Sequence, residues 1–304
     1  MAYPLAAGMP NYSGTFIPTI WAGKLLEKFY DASVVPQISN TDYEGLISAQ
    51  GDTVNIRTVP NVTIRNYSAG QPLQVERPDS PMVTLNIDQG RYFNLVLDDV
   101  MEIQSDINLM NTWSSDASEQ LKINIDTYVL ANVAVDVAAV NKGATAGRLS
   151  ANLNLGATGA AVQLTKANII DKLLEMGQVL DEQNVPETGR WVVMPAWAIR
   201  LLKSSDIKDA SLTGDGASPL RNGRVGMIDR FTLYSSNLLP RYVDTNSPFD
   251  IIAGHKVGLT FATQITKTET LRSETTFGTL MRGLQVFGMK VVKGDALVRL
   301  YAYA

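Results

Sequence analysis

The chain has no cysteine and a single histidine, His255, in 304 residues. Without cysteine, neither a disulfide nor a thiolate metal site can brace the fold. One histidine also excludes any centre built from two or more. No run of about 18 apolar residues occurs, so nothing reads as a membrane-spanning helix. The first ten residues carry two prolines and no basic residue. They lack the charged and apolar regions of a secretory signal, and the expectation is a cytoplasmic product. Net charge is −4, and the 26 Lys and Arg are dispersed. That argues against a grip on nucleic acid by phosphate neutralisation, which needs concentrated positive charge.

Enzymatic signatures are equally sparse. No Gly-x-Ser-x-Gly elbow occurs, and His255 has no nucleophile and orienting acid in a recognisable pattern, so it reads as structural or surface. Asp98 and Asp99 are adjacent, and in a strand they point to opposite faces. Solvated residues at a strand end fit them better than a metal site. Gly143-x-x-x-Gly147 and Gly214-Asp-Gly216 lack the further glycines and the Lys-Ser/Thr of a phosphate cradle. Trp191 and Trp197 flank a buried strand and a helix start, which suits core packing. No catalytic, cofactor-binding or metal-binding set is assigned.

What the chain does have is 45% hydrophobic residues against 18% charged. That supports a sizeable core, in one large domain or two interleaved ones. The organising stretch is 51–98. Val54 and Ile56 alternate with polar residues, as do Val62 and Ile64, and then Val83, Leu85 and Ile87 on a return limb. Such period-two runs mark half-buried strands. Between the limbs, 66–81 holds Pro72, Pro78 and Pro81. A two-stranded ribbon is marginal alone in water. Other segments supply a core without it, so another subunit is expected to complete its apolar face. Arg57, Arg65, Glu76, Arg77 and Asp79 along the ribbon suit a solvated face as well as intersubunit pairing.

Residues 1–16 read as an extended arm. Ile17, Trp21, Leu25 and Phe29 recur every fourth residue after Pro18, so 18–30 is expected to be a docking helix. Gln89-Gly90 signals a turn, followed by a strand bearing Phe93, Leu95 and Leu97. Ser114, Ser115 and Asp116 open a long helix to Asn141, with stripes at Leu121, Ile125, Tyr128, Val129 and at Leu130, Ala134, Val137. The small residues of 143–160 suggest a flexible loop. Thr165 suits the cap of a helix buried through Ile169, Ile170, Leu173, Leu174 and Leu180. Trp191–Met194 reads as a doubly buried strand, and Pro195 opens a helix to Leu202. Residues 211–226 suggest an exposed loop. Strands are expected at 231–234, 250–253, 257–262, 284–292 and 296–303. Helices layered on sheets in this order indicate a mixed α+β fold.

Several stretches together carry a resemblance. They are Trp21-Ala-Gly-Lys-Leu-Leu-Glu-Lys-Phe-Tyr, Val34-Val-Pro-Gln-Ile, Gly51-Asp-Thr-Val-Asn-Ile-Arg, Leu85-Asn-Ile-Asp-Gln-Gly-Arg-Tyr-Phe and Leu97-Asp-Asp-Val. Later come Arg190-Trp-Val-Val-Met-Pro, Asn222-Gly-Arg-Val-Gly-Met-Ile-Asp-Arg-Phe, Ser235-Ser-Asn-Leu-Leu-Pro, Phe261-Ala-Thr-Gln-Ile and Phe287-Gly-Met-Lys-Val-Val. In this order the series resembles the major capsid proteins of tailed bacteriophages, from about residue 17 to 300. The resemblance implies the Johnson fold, shared with herpesvirus capsid floors. Its plan puts an amino-terminal arm at 1–45 and an extended loop at 46–98. A peripheral domain spans 99–159 and 257–304, with a spine helix at 115–141, and an axial domain spans 160–256.

The resemblance implies an icosahedral head shell around double-stranded DNA, with no enzymatic activity and no cofactor. Implied partners are other copies in hexamers and pentamers, a separate scaffolding protein because no charge-rich helical prodomain precedes the arm, a portal, and a decoration or cement protein. The packaged DNA would be held non-specifically, and no membrane is involved. The location would be the virion, after assembly in the host cytoplasm. Intersubunit contact falls on Arg57, Arg65, Tyr67, Glu76, Arg77 and Asp79 of the loop and on Ser211, Asp215 and Arg221 near the capsomer axis. Arm docking falls on Trp21, Leu25 and Phe29. Some relatives crosslink through a Lys and an Asn, and no motif here identifies such a pair. The alternatives are a non-viral compartment shell of the same fold, which would copurify with a cargo enzyme, and a strand-rich cytoplasmic enzyme or binding module, which would run as a monomer.

Overall fold

A computed structural model describes residues 33–42, 53–60, 62–99, 109–205, 226–274 and 276–304. The centre is a six-stranded mixed sheet. It comprises β4 (Val162–Gln163), β5 (Arg190–Met194), β6 (Met227–Ile228), β7 (Phe231–Ser235), β8 (Phe249–His255) and β11 (Leu297–Tyr303), ordered β4-β11-β8-β5-β7-β6. Every residue of β5 is buried because the sheet has a core on each face. Successive strand residues point to opposite sides. Val192 and Met194 therefore join α3 (Ile169–Glu182) and α4 (Ala196–Lys203) in one core. Trp191 and Val193 face a second core with the long helix α2 (Leu109–Val133) and the short turn α1 (Val35–Ile38).

The other large sheet is three-stranded and antiparallel, in the order β3 (Gln89–Asp98), β10 (Gly278–Val291), β9 (Leu259–Arg272). Both β9 and β10 have 14 residues. They extend well past the expected 257–262 and 284–292. The added length was hidden because in β9 it is rich in Thr, Lys, Glu and Arg, and in β10 it reads Gly-Thr-Leu-Met-Arg-Gly, without polar–apolar alternation. A third sheet is the two-stranded ribbon, β1 (Thr53–Arg57) and β2 (Met82–Asn86), antiparallel with Thr53 opposite Asn86 and Arg57 opposite Met82.

Several expectations are corrected. The long helix spans Leu109–Val133, not 115–141. Ser115 and Ser118 lie inside it, their hydroxyls bonded to the carbonyls of Asn111 and Ser114 at 3.0 and 2.9 Å. Such back-bonding lets a would-be cap residue sit mid-helix. Ala134 and Val137 remain buried beyond its end, so the stripe outlasted the helix because the core does. The 143–160 region is not a free loop. Ala146 and Leu153 exchange backbone bonds at 2.8 and 3.1 Å, and the Tyr301 amide donates to the Leu155 carbonyl at 2.8 Å. A Cβ at Gly156, whose φ is +79°, would meet the Tyr301 carbonyl oxygen at 2.2 Å. Small residues serve close approach there. Thr165 is not the cap of α3. Asn168 holds that position, accepting from the Thr165 amide at 2.7 Å, and Leu174 is exposed rather than buried. Gln89 and Gly90 open β3 rather than turning the chain. The last strand, grouped by the sequence with the long helix, pairs instead with β8 and β4 in the central sheet.

Candidate assembly surfaces

The ribbon divides into a docked root and a bare tip. At the root, Ile56, Leu85 and Ile87 are buried against Ala262 of β9, with Val286 and Val292 alongside. The expectation that another subunit completes this apolar face is therefore corrected, because the root lies on its own chain. Beyond it, the Thr58 amide donates to the Pro81 carbonyl at 3.2 Å and the Ser80 hydroxyl donates to the Thr58 carbonyl. These bonds close the two limbs where strand pairing ends.

From 62 to 82 every residue is exposed. Val62 and Ile64, expected in a strand, lie outside one, with Ile64 90% exposed. The facing limb explains this, since Pro72, Pro78 and Pro81 have no N–H for a ladder. The limbs are held by side chains instead. Glu76 accepts from the Thr63 hydroxyl at 3.0 Å and its amide at 3.3 Å. A turn closes at the far end, where the Gln71 amide donates to the Ser68 carbonyl at 3.0 Å and Gly70 has φ +83°. Only glycine enters that region without strain. Arg57, Arg65, Tyr67, Glu76, Arg77 and Asp79 are all exposed. Leu73 and Val75 stand beside them, 81% and 93% exposed.

The sheet face that seats the root continues past it uncovered. Tyr92 and Val96 of β3, Leu284 of β10 and Leu271 of β9 share that face and are exposed. Among them runs a charged row in which Glu269 pairs with both Lys267 and Arg282. Tyr92, Leu284 and this charged row border a shallow groove of about 420 Å³. On the opposite face Arg91 lies 5.5 Å over the Tyr128 ring and bonds Asn124 at 2.7 Å, tying β3 to α2.

Trp21, Leu25, Phe29, Ser211, Asp215 and Arg221 lie outside the described residues. The described segment 33–42 is fixed to the rest of the chain at two places. Asp126 of α2 is 2% exposed and accepts from the Val34 amide at 2.6 Å, the Ser33 hydroxyl at 3.0 Å and the Val35 amide at 3.4 Å. Burial raises its pKa, outweighing those three bonds, which lower it. Asn40 then exchanges backbone bonds with Leu259 and Phe261, clipping the segment across to β9. Sequence reasoning missed Asp126. Its signal was a lone carboxylate among Ile125, Val129 and Leu130.

Polar residues elsewhere are braces. Asp250, fully buried, accepts from Arg299 at 2.6 Å and Tyr242 at 2.8 Å. Burial and that carboxylate push the Tyr242 hydroxyl up to about 12. The Arg190 guanidinium, also buried, reaches Asp181 at 2.7 Å and the carbonyls of Val185 and Pro186. His255 accepts from the Val257 amide at 3.2 Å, and burial lowers its pKa. Asp99 is paired to Arg272. Among the described residues no group of three or more His, Cys, Asp or Glu is placed to hold a metal, and no helix is long and apolar enough to cross a membrane.

A family model described as phage capsid protein matches residues 83–300, more than two thirds of the chain. The chain therefore belongs to the phage capsid protein family. Solved structures agree along nearly its whole length. One from Mycobacterium phage Che8 is 27% identical with a TM-score of 0.78, covering 93% of this chain and 96% of its own. The capsid of Cyanophage P-SCSP1u is 18% identical with a TM-score of 0.74, covering 95% and 93%. The capsid of a native GTA particle is 14% identical with a TM-score of 0.67, covering 96% and 97%. No protein with a curated description matches. The expected likeness to tailed-phage major capsid proteins and their α+β Johnson fold is borne out. The chain's role is structural, as a subunit of a phage head shell.

Proposed function

We propose that the shell is built by laying the ribbon tip of one subunit across the uncovered sheet face of the next. One observation carries this reading. The chain's own cores are closed, its ribbon root is seated, and yet Ile64, Leu73 and Val75 are held out in solvent. Apolar side chains fixed on a projecting ribbon gain by burial, at about 25 cal/mol per Å² removed from water. Tyr92, Val96, Leu271 and Leu284 offer apolar surface of the matching kind. In this reading Arg57, Arg65, Tyr67, Glu76, Arg77 and Asp79 set the register of the contact. Trp21, Leu25 and Phe29 dock the arm, and Ser211, Asp215 and Arg221 meet their copies around hexamer and pentamer axes.

The domain plan accompanies this proposal, with arm 1–45, loop 46–98, peripheral 99–159 and 257–304, and axial 160–256, except that the last strand, β11, joins the axial sheet. The chain works without catalysis, is assembled in the host cytoplasm on a separate scaffolding protein, joins a portal and a decoration protein, and encloses double-stranded DNA. Replacing residues 62–78 by a short turn tests the ribbon, because it keeps the bonds among Thr58, Ser80 and Pro81. We expect native circular dichroism and no shells by electron microscopy. Intact shells from that variant would refute the reading.

A further inference from the structure

The ribbon rests on its own chain through one tight point. Gly288 of β10 lies directly under β2. A Cβ there would come within 2.1 Å of the Asn86 carbonyl oxygen, 2.9 Å of its carbon and 3.0 Å of the Ile87 Cα. All three are backbone atoms, so no side chain can swing aside to make room. Val286 of β10, on the same face, and Val292, just past the end of the strand, pack against the root's apolar cluster. Only position 288 is cut down to backbone.

The surroundings suit a pivot. The β9–β10 register slips between Val286 and Phe287. Phe287 aims at α2, where its ring lies 5.8 Å from that of Tyr128. Gly288 falls on the ribbon side. A polar cleft of about 270 Å³ flanks the root, bordered by Thr84, Asn86 and Asp88 on one side and Asn132, Asp136 and Lys290 on the other. Beyond the Arg57–Met82 pair the exposed limbs reach up to about 40 Å at roughly 3.3 Å per residue. Room for a methyl group demands about 1 Å of movement at Asn86 and Ile87, where β2 passes into the connection to β3, and a tilt of about that size along the short β2 grows to several ångströms at the end of the longer limbs.

We infer that Gly288 is the fulcrum that fixes the direction of the ribbon, and through it the curvature of the shell. The inference about curvature rests on the assembly role proposed for the ribbon, whereas the inference about direction does not. Because the chain has no cysteine, Ser68→Cys at the tip and Thr127→Cys on α2 give a clean pair for spin labels. In unassembled protein, Gly288→Ala is expected to shift the distance between them by several ångströms. Gly90→Ala, where an added Cβ meets nothing within 4 Å, is expected to leave it unchanged. Val292→Ala, which loosens the seat, is expected to broaden the distribution about the same mean. Shells of Gly288→Ala are expected to differ in diameter or to fail to close.

A folded Gly288→Ala protein with the original distance overturns the fulcrum. If that variant does not fold, an unbroadened Val292→Ala distribution overturns it instead. A shifted distance with shells of unchanged diameter overturns the link to curvature and leaves the fulcrum standing. A shifted distance in a protein that forms no shells even without substitution supports the fulcrum while removing the proposed function.

Discussion

Asp126 shows how much one buried carboxylate can hold. It satisfies the Val34 and Val35 amides and the Ser33 hydroxyl where the chain crosses α2. Replacing it with Ala strands two buried N–H groups, and we expect a loss of about 2–3 kcal/mol in denaturant unfolding. Asn keeps one acceptor oxygen, so Asp126→Asn should lose about 1 kcal/mol. Glu182 behaves differently because it is only half-buried. Burial pushes its carboxyl up, but the Leu149 amide, Gln178 and Ser150 outweigh this and hold it at about 2. A depressed carboxyl pKa stabilises the fold above the unfolded value of about 4.5, and that stability is lost as pH falls towards 2. Glu182→Gln should therefore melt below the unsubstituted protein at pH 7, with the gap closing by pH 2. Scanning calorimetry across that range checks the sign. Neither role was readable in advance. Local pattern shows that Asp126 sits in an apolar stripe, but its donors lie more than ninety residues away.

At the scale of elements, alternation and turn chemistry identified the ribbon limbs, the doubly buried β5 and the helix after Pro195, because each has a core face that imposes a period. Elements without such a face escaped. The outer halves of β9 and β10 are held by cross-strand pairing, such as Arg282 with Glu269. The end of α2 was overrun because Ala134 and Val137 stay buried beyond it. One contact inside the three-stranded sheet can be tested directly. Phe93 lies across Gly283, where a Cβ would sit 2.2 Å from the ring. Gly283→Ala should cost about 1–2 kcal/mol by overpacking. Phe93→Leu in the same chain should recover part of that loss, since the smaller side chain clears the methyl group. A double-mutant cycle by urea denaturation reads the coupling, and strict additivity would show that the two residues do not meet.

For the whole molecule, the family and the α+β architecture were legible from the order of soft motifs, while the seating of the ribbon root was not. That contact joins Leu85 to Ala262 across a long loop of chain, and no local pattern records it. The mild acidity of the chain bears on the DNA proposed as its cargo. A wall carrying net charge −4 has little clustered cation to exchange for counterions on DNA. Fluorescence anisotropy with duplex DNA should give weak binding and a shallow salt slope, and a steep slope at physiological ionic strength would contradict this.

The position of β11 has a consequence for when the protein becomes usable. Residues 297–303 pair with β8 on one side and β4 on the other. A nascent chain on the ribosome cannot finish its central sheet until this strand has emerged, and both cores stay open until then. Long-range pairing of this kind also delays folding. A chain in which β11 is unpaired has an unfinished central sheet, so the pairing of this one strand precedes a finished subunit.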